Sequence, residues 1–410
     1  MLRLYNTLGR KIEVFQPVNK KIATVFTCGP SVYQRAHIGN FRTFLFEDVL
    51  VRYLEYSGHS VVRGMNFTDL EDKAIRASEQ KRLTLHQLTE DNIRQFLDEM
   101  RLLRMKIPQY LPKASESIQE SVDIIEQLIG SGIAYRHKNN IYFDPLKFPG
   151  FGKLYGLDMS RWPSVKRRFH KDTYPGVQWN LGDFILWHGY KPGERYFWET
   201  SIGKGRPSWN IQDPAMIRRH FDETLSIYCG GVDNLYRHHD YTLAVLESVR
   251  PYPMARYWLH CNHLYVDGRK MSKSKGNILY AEDLKKQGYD WSVIRFFLIY
   301  SHYRERMNYS DEYMRRAADK LLDLRNTVRQ IEKASKSKSS AGAPKRAKES
   351  PDLLKRFFVK HMDEDLNVKD AFDELCRTVN EIRADELAAA EASDILESLK
   401  GIDAVLRVIF

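Results

Sequence analysis

Within its first 66 residues the chain alternates a β-prone run, a loop, a helical pattern and a second β-prone run, an order that few folds accommodate. Ala23–Thr27 is the first run, and it stops at Cys28-Gly29-Pro30. A helical period then runs roughly from Gly39 to Tyr56, with Phe44, Leu45, Val49 and Tyr53 on one stripe and Gly58 closing it. Val61–Asn66 is the next β-prone run. Strand, loop, helix, strand is a βαβ unit. It predicts an α/β fold with a parallel sheet, and a ligand at the carboxyl ends of the strands.

The rest of the chain extends this reading. From about Leu83 to Ile133 the pattern is helical, with Ile118, Val122, Ile125 and Leu128 on one stripe. Residues from about 135 to 205 are rich in aromatics, Gly and Pro, with strand-like pieces at Ile141–Phe143 and Phe184–Trp187. They suit an insertion, spanning roughly 80–205, between two halves of a nucleotide-binding fold. The sheet is expected to resume at Leu225–Cys229, followed by Gly230-Gly231 and a helix through His238. A further strand ends at Val266, in the turn Asp267-Gly268. These elements make residues 1–305 one catalytic unit. From 306 to 410 the pattern is helical: Ser310 suits an N-cap, Asp311 and Glu312 an acidic first turn, and Met314, Leu321, Val328 and Ile331 a buried stripe. Residues Ala334–Ser350, rich in Ser, Ala and Lys, suit a flexible basic linker, with two or three helices after it.

Composition narrows the functional classes. The formal charge of +11 suits a polyanionic partner such as ATP or a nucleic acid. No apolar run approaches the ~20 residues that cross a bilayer, and MLRLYNTLGRKIEVF lacks a signal peptide's apolar core, so neither membrane nor export is expected. Cys28, Cys229, Cys261 and Cys376 are far apart and form no CxxC pair, which points to a reducing, cytoplasmic setting.

Two segments carry phosphate chemistry. His37-Ile38-Gly39-Asn40 follows a strand and opens a helix, where backbone N–H groups and the positive helix end favour an anion. Gly39 lets a base or ribose approach the backbone, and His37 and Asn40 can donate to phosphate oxygens. Lys270-Met271-Ser272-Lys273-Ser274 follows the Asp267-Gly268 turn; two lysines on one loop can clamp the phosphates of ATP as charge develops on pyrophosphate.

This pair resembles the HIGH and KMSKS signatures of class I aminoacyl-tRNA synthetases, with Asn40 in place of the last His. The wider text is similar to the cysteinyl-tRNA synthetase family: Thr27–Tyr33, Asn66–Lys73, Gly205-Arg206-Pro207-Ser208-Trp209, Gly230–Asp233, His238-His239, Tyr265–Lys270 and His361–Asn367. The resemblance implies a Rossmann-like class I catalytic domain with an insertion, followed by an α-helical bundle. It implies ATP-dependent activation of an amino acid and transfer to tRNA, with Mg²⁺ accompanying ATP. His37, Asn40, Lys270 and Lys273 would act in catalysis. Gly39, Gly230, Gly231, Asp233, Lys270, Ser272 and Lys273 would bind ATP. Cys28, Gly29, Thr68 and Trp209 would bind the amino acid, although Trp209 equally suits core packing. His260 and His263 are taken as structural.

Two departures bear on the substrate. The family holds a Zn²⁺ ion with two cysteines, a histidine and a glutamate. The matching positions here are Cys28, Asp213, His238 and Thr242. Asp can ligate zinc through oxygen, so Cys28, Asp213 and His238 form a possible three-ligand set, whereas Thr is a poor ligand. His239 or Asp240 could stand in for the missing ligands, but on a regular helix His238 shares a face with Thr242 rather than with His239. The zinc site is therefore expected to be weakened, and discrimination against serine with it. The family also adds an anticodon-reading domain after the helices, while this sequence stops at Phe410, so tRNA contacts are expected at phosphates and the acceptor end. Three readings stay open: a cysteine–tRNA ligase, a paralogous ligase for another amino acid or a small acceptor, and a non-catalytic RNA-binding relic. The mycothiol-pathway relative, which joins cysteine to a sugar amine, is an example of the second.

Overall fold

The computed structural model describes residues 1–158, 183–271, 276–336 and 345–410. At its centre lies an all-parallel sheet of four strands, in the order Ala255–Cys261, Leu225–Gly231, Ile22–Thr27, Ser60–Met65. Val25, Phe26, Ile227, Tyr228 and Leu259 are all buried, as expected of a parallel sheet covered on both faces. The helix Ile38–Tyr56 crosses between the two sequence-adjacent strands and is buried over most of its circumference, from Phe41 and Leu45 to Asp48.

The chain from Leu83 to Ile133 is not one helical run. Helices span Asp72–Lys81, Leu85–Leu102 and Ile118–Gly130, and an extended stretch separates the last two. Pro108 and Pro112 lack the N–H a helix needs, and Arg104 turns the chain with φ 55°. The stretch instead covers the edge of the sheet: Tyr110 accepts from the Met65 N–H at 2.9 Å and Pro112 from the Phe67 N–H at 2.8 Å. An exposed strand edge is thereby closed. Beyond the third helix, Ala134–His137, Asn140–Phe143, Phe184–Gly189 and Gly205–Pro207 form a separate antiparallel sheet.

The strand expected to end at Val266 is two strands. Ala255–Cys261 belongs to the central sheet, whereas Leu264–Val266 pairs with Arg269–Lys270 and with Met307–Tyr309 in a small sheet of its own. Arg42 fixes this small sheet to the first long helix. Its buried guanidinium donates to the carbonyls of Asn262 (3.2 Å), His302 (3.2 Å) and Glu305 (2.7 Å) and to Ser301 Oγ (2.6 Å).

Helices Asp311–Ser335, Lys345–Met362, Val368–Asn380 and Ala389–Leu406 follow. Ser310 Oγ accepts from the Tyr313 N–H, and Met314, Leu321, Val328 and Ile331 are buried along one face. The Ser/Lys-rich stretch expected to be a linker is helical at both described ends, up to Ser335 and from Lys345; residues 337–344 lie outside the described residues. Asp48 and Arg295, both 0% exposed, meet at 2.7 Å inside the catalytic fold, and Arg295 Nε ties the bundle to this pair by donating to the Leu406 carbonyl at 2.7 Å. The N-terminal strand Arg3–Asn6 also docks on the bundle: Arg3 N–H donates to the Asp363 carbonyl and Tyr5 N–H to Asp365 Oδ1, each at 2.8 Å. No helix among the described residues is long and apolar enough to cross a membrane.

Candidate active site

The carboxyl ends of the central strands open onto a cleft of about 320 Å³, bounded by Cys28, His37, Asn40, Thr68, Trp209, Asp233 and His238. His37 is the N-cap of the long helix. Its Nδ1 accepts from the Asn40 N–H at 3.2 Å, while Asn40 Oδ1 accepts from the His37 N–H at 3.0 Å. Burial lowers the His37 pKa and keeps the ring neutral, as an accepting Nδ1 requires. The ring proton then resides on Nε2, which makes that nitrogen a donor for the cleft.

Gly39 brings the two phosphate segments together. A Cβ at this position would lie 2.5 Å from Met271 Cε, so the helix N-terminus abuts the start of the lysine loop. The Ile38 N–H donates to the Leu279 carbonyl at 3.0 Å, and Asn277 Nδ2 reaches the Lys270 carbonyl at 3.3 Å. Both contacts tether the loop from its far side. Lys270 is exposed and ends the short strand Arg269–Lys270. Ser272 and Lys273 lie outside the described residues.

Deeper in the cleft is a buried polar cluster centred on Asp213, which is 0% exposed. Asp213 Oδ1 accepts from Asn66 Nδ2 at 3.1 Å. Its Oδ2 accepts from the Tyr228 hydroxyl at 3.0 Å and lies 3.1 Å from His238 Nε2. Asn66 also takes the Gly29 N–H on Oδ1 at 2.8 Å. Gly29 has no room for a side chain, since a Cβ would stand 1.8 Å from the Asn66 carbonyl oxygen. Thr68 is joined to the same wall through its N–H, which donates to the Pro30 carbonyl at 3.2 Å. Trp209, first residue of the helix Trp209–His220, stacks on the His238 ring at 4.2 Å and 5°. Gly231 stands beside Asp233, and a Cβ at 231 would lie only 2.6 Å from Asp233 Oδ1. Asn66 and Tyr228 are not among the sequence candidates; the place of Asn66 just past the strand Ser60–Met65 is a signal that could have found it, whereas Tyr228 lies mid-strand.

The helix expected through His238 is irregular. Val232–Asn234 is a 3₁₀ turn, and Leu235–His239 is a π-type turn broken at Tyr236 (φ −82°, ψ 140°) and Arg237 (φ 66°, ψ −53°). The break precedes His238 and His239, which are themselves helical in backbone, and their ring centroids lie 5.4 Å apart. Potential metal-binding atoms of Cys28, His238 and His239 all lie within 4.8 Å of one another, and Asp213 is not in that group. Thr242 Oγ1 donates to the His238 carbonyl at 2.9 Å, as a helical threonine often does. The donor set expected by position thus has two members, Asp213 and Thr242, engaged with protein groups. Cys28, His238 and His239 fit a metal ion better. His238 Nδ1 and His239 Nε2 are buried without a hydrogen-bond partner among the described residues. The Cys28 thiol has a weak contact from Asn234 Nδ2 at 3.6 Å. Burial first, and then the negative Asp213, Glu47 and Asp233, raise its pKa well above that of a free thiol. Only a nearby cation would make it a thiolate at neutral pH. His260, expected to be structural, meets this cluster from behind: its Nε2 is 2.8 Å from His239 Nδ1.

A sequence-family model described as "tRNA synthetases class I (C) catalytic domain" matches residues 14–319. The chain is 36% identical over 416 residues to a cysteine–tRNA ligase of Chlamydia pneumoniae, covering 100% of this chain and 86% of that protein. It is 38% identical over 331 residues to the cysteine–tRNA ligase of Leptospira interrogans, covering 80% and 70%. Among solved structures it resembles a Mycobacterium tuberculosis methionyl-tRNA synthetase in complex with methionyl-adenylate (TM-score 0.66, 14% identity, 95% and 90% of the two chains). It also resembles a LeuRS–tRNA–LeuAMS ternary complex from Agrobacterium radiobacter (TM-score 0.70, 10% identity, 97% and 86%). At these identities the structural likeness speaks for the fold.

Proposed function

The chain belongs to the class I cysteinyl-tRNA synthetase family, and from that premise we propose that it activates cysteine with ATP and transfers the cysteinyl group to tRNA in the cytoplasm. The observation that supports this reading is the closeness of Gly39 to Met271, which brings the start of the lysine loop beside the helix N-terminus that borders the cleft. The amino acid carboxylate attacks the α-phosphorus of ATP; a new P–O bond forms, the bond to the β-phosphate oxygen breaks, and pyrophosphate leaves. His37 Nε2–H, Asn40, Lys270 and Lys273 stabilise the charge that moves onto the leaving phosphates, with Mg²⁺ arriving as part of the nucleotide substrate. Gly39, Gly230, Gly231, Asp233 and Ser272 serve ATP binding. Cys28, Gly29, Thr68 and Trp209 form the amino acid side of the cleft. A terminal hydroxyl of tRNA then attacks the activated carbonyl, and AMP leaves.

The family's zinc ion would be held by Cys28 and the neighbouring imidazoles, where it would supply a soft acceptor for the substrate thiolate. The changes at positions 213 and 242 favour one competing reading, a paralogue specific for another amino acid. ATP–pyrophosphate exchange screened over all amino acids decides between them. Cysteine is expected to give the fastest exchange, and a preference for any other amino acid would replace the reading. Binding of tRNA is expected to fall by about 10³-fold or more between 50 and 200 mM salt, because released counterions dominate contacts to phosphates. Filter binding at the two ionic strengths measures this, and a flat response would remove phosphate contacts as the main source of affinity.

A further inference from the structure

We infer that Cys28, His238 and His239 are the protein donors to the metal ion in this chain, and that Asp213 and His260 serve behind them as the groups that orient the two imidazoles. The inference rests on the proposed function only for the kind of ion expected, a zinc-like divalent cation. It departs from the donor set expected by position: Asp213 and Thr242 do not ligate, and His239 does.

The argument begins with the lone pairs. His238 Nε2 faces Asp213 Oδ2 at 3.1 Å, and a carboxylate can only accept, so the ring proton lies on Nε2 and the lone pair on Nδ1. That Nδ1 is buried and unpartnered among the described residues. On the other ring, His239 Nδ1 meets His260 Nε2 at 2.8 Å, while His260 Nδ1 meets Thr7 Oγ1 at 2.9 Å. If His260 donates to the threonine oxygen, its Nε2 accepts from His239 Nδ1–H, and the lone pair of His239 lies on Nε2. That nitrogen too is buried and unpartnered among the described residues. The two residues are 2% and 0% exposed, so neither orphaned nitrogen has bulk water to turn to. A carboxylate behind one ligating histidine and an imidazole behind the other is the outer-layer arrangement that fixes tautomers at metal centres.

The chain breaks at Tyr236 and Arg237 just before the two histidines; His238 lines the cleft, and His239 lies buried beside it with ring centroids 5.4 Å apart. Gly230 makes the room: a Cβ there would lie 2.5 Å from His239 Cε1 and 3.2 Å from Cys28 Cβ. A side chain at 230 would therefore separate the thiol from the second imidazole. Cys28 and His238 line the cleft while His239 lies behind them, so three protein donors leave a fourth direction toward substrate, the pattern of a catalytic rather than a structural zinc.

The test uses the full-length protein without amino acid or ATP, so its outcome is independent of activity. X-ray absorption on zinc-loaded wild-type protein should find one sulfur and two imidazoles per metal. Elemental analysis should find about one zinc per chain. In the cobalt-substituted protein a thiolate-to-cobalt absorption band should be present, and Cys28→Ser should remove it. Asp213→Asn should weaken binding about 10–100-fold while retaining the band, the scale for outer-layer partners. Thr242→Ala should leave affinity unchanged, and His239→Ala should lose it by more than Asp213→Asn does. One imidazole with oxygen donors in the wild-type spectrum would overturn the inference, without needing any variant to fold. So would failure of the wild type to hold metal at excess zinc, or a His239→Ala protein that binds as tightly as the wild type.

Discussion

In a His37→Asn variant, cysteine-dependent ATP–pyrophosphate exchange is expected to fall about 10²-fold with little change in the unfolding midpoint. The two ring nitrogens of His37 have separate duties. Nδ1 caps the long helix by taking the Asn40 N–H, and Nε2–H is left for the cleft. Asparagine is among the best N-caps, so its side-chain oxygen can replace the first duty. It is too short to carry a donor to where Nε2 was. Losing one donor to the developing charge is worth roughly 10²–10³ in rate. His37→Ala should show the same kinetic loss plus about 1 kcal/mol of lost cap stability. Exchange kinetics and thermal unfolding on the two variants separate the duties. Wild-type exchange in His37→Asn would remove the histidine from the phosphate machinery.

The second large effect is expected at Asp48→Asn, which should destabilise the protein by about 3–5 kcal/mol, the range for breaking a buried ion pair. Asp48 Oδ2 faces Arg295 at 2.7 Å and Arg52 at 2.9 Å, and Oδ1 takes the Lys106 N–H at 2.7 Å. The other donors of Arg295 end on the carbonyls of Leu406 (2.7 Å) and Leu103 (3.0 Å), so among the described residues its charge has no second carboxylate at hydrogen-bond distance. Burial by itself would raise the Asp48 pKa, but Arg295, Arg52 and the Lys106 N–H outweigh it and hold the group below its ordinary value. The sign follows. The stabilisation is complete above the unfolded value of ~3.9 and is lost as pH falls through the lower, folded value. The asparagine variant lacks that acid-sensitive contribution. Denaturant midpoints at neutral pH and near pH 3 should therefore lie further apart in the wild type than in the variant. A loss under ~0.5 kcal/mol at neutral pH, the level of an ordinary surface change, would show the pair to be dispensable.

The βαβ unit is legible in the sequence because its signals are local. The strands are short runs rich in β-branched and apolar residues, interrupted in the second by Arg63, and the helix starts at a histidine–asparagine pair that caps it. The break between Leu102 and Ile118 has a local signal too, in Pro108 and Pro112, but the apolar stripe on Ile118–Leu128 masks it by extending the helical period. Other features have no local signature. Asp48 and Arg295 are 247 residues apart, and a single sequence does not say which buried carboxylate meets which arginine. The role of His239 is hidden because adjacent residues on a helix point 100° apart, and the sequence does not show that Cys28 comes within reach of both rings. Asp213 stands where the resemblance implies a ligand. In the fold its oxygens are already bonded to Asn66 and Tyr228.

The docking of the N-terminal strand onto residues 363–365 sets a timetable for biosynthesis. Tyr5 and its acceptor Asp365 are 360 residues apart, so the strand leaves the ribosome long before its partner exists. At ~5–20 residues per second that wait is roughly 20–70 s, far longer than a helix or hairpin needs to form. A shorter delay applies to one side of the central strand Ile22–Thr27: its neighbour Ser60–Met65 follows soon, but Leu225–Gly231 emerges about 200 residues later. Arg3–Asn6 pairs early with Lys11–Val14 and Ile22–Thr27 with Ser60–Met65, but their second edges are filled late, and a nascent chain halted before Asp363 exposes one of them to whatever else is near it. Helper proteins that shield extended, apolar segments during translation should matter more for this chain than for a bundle of local hairpins.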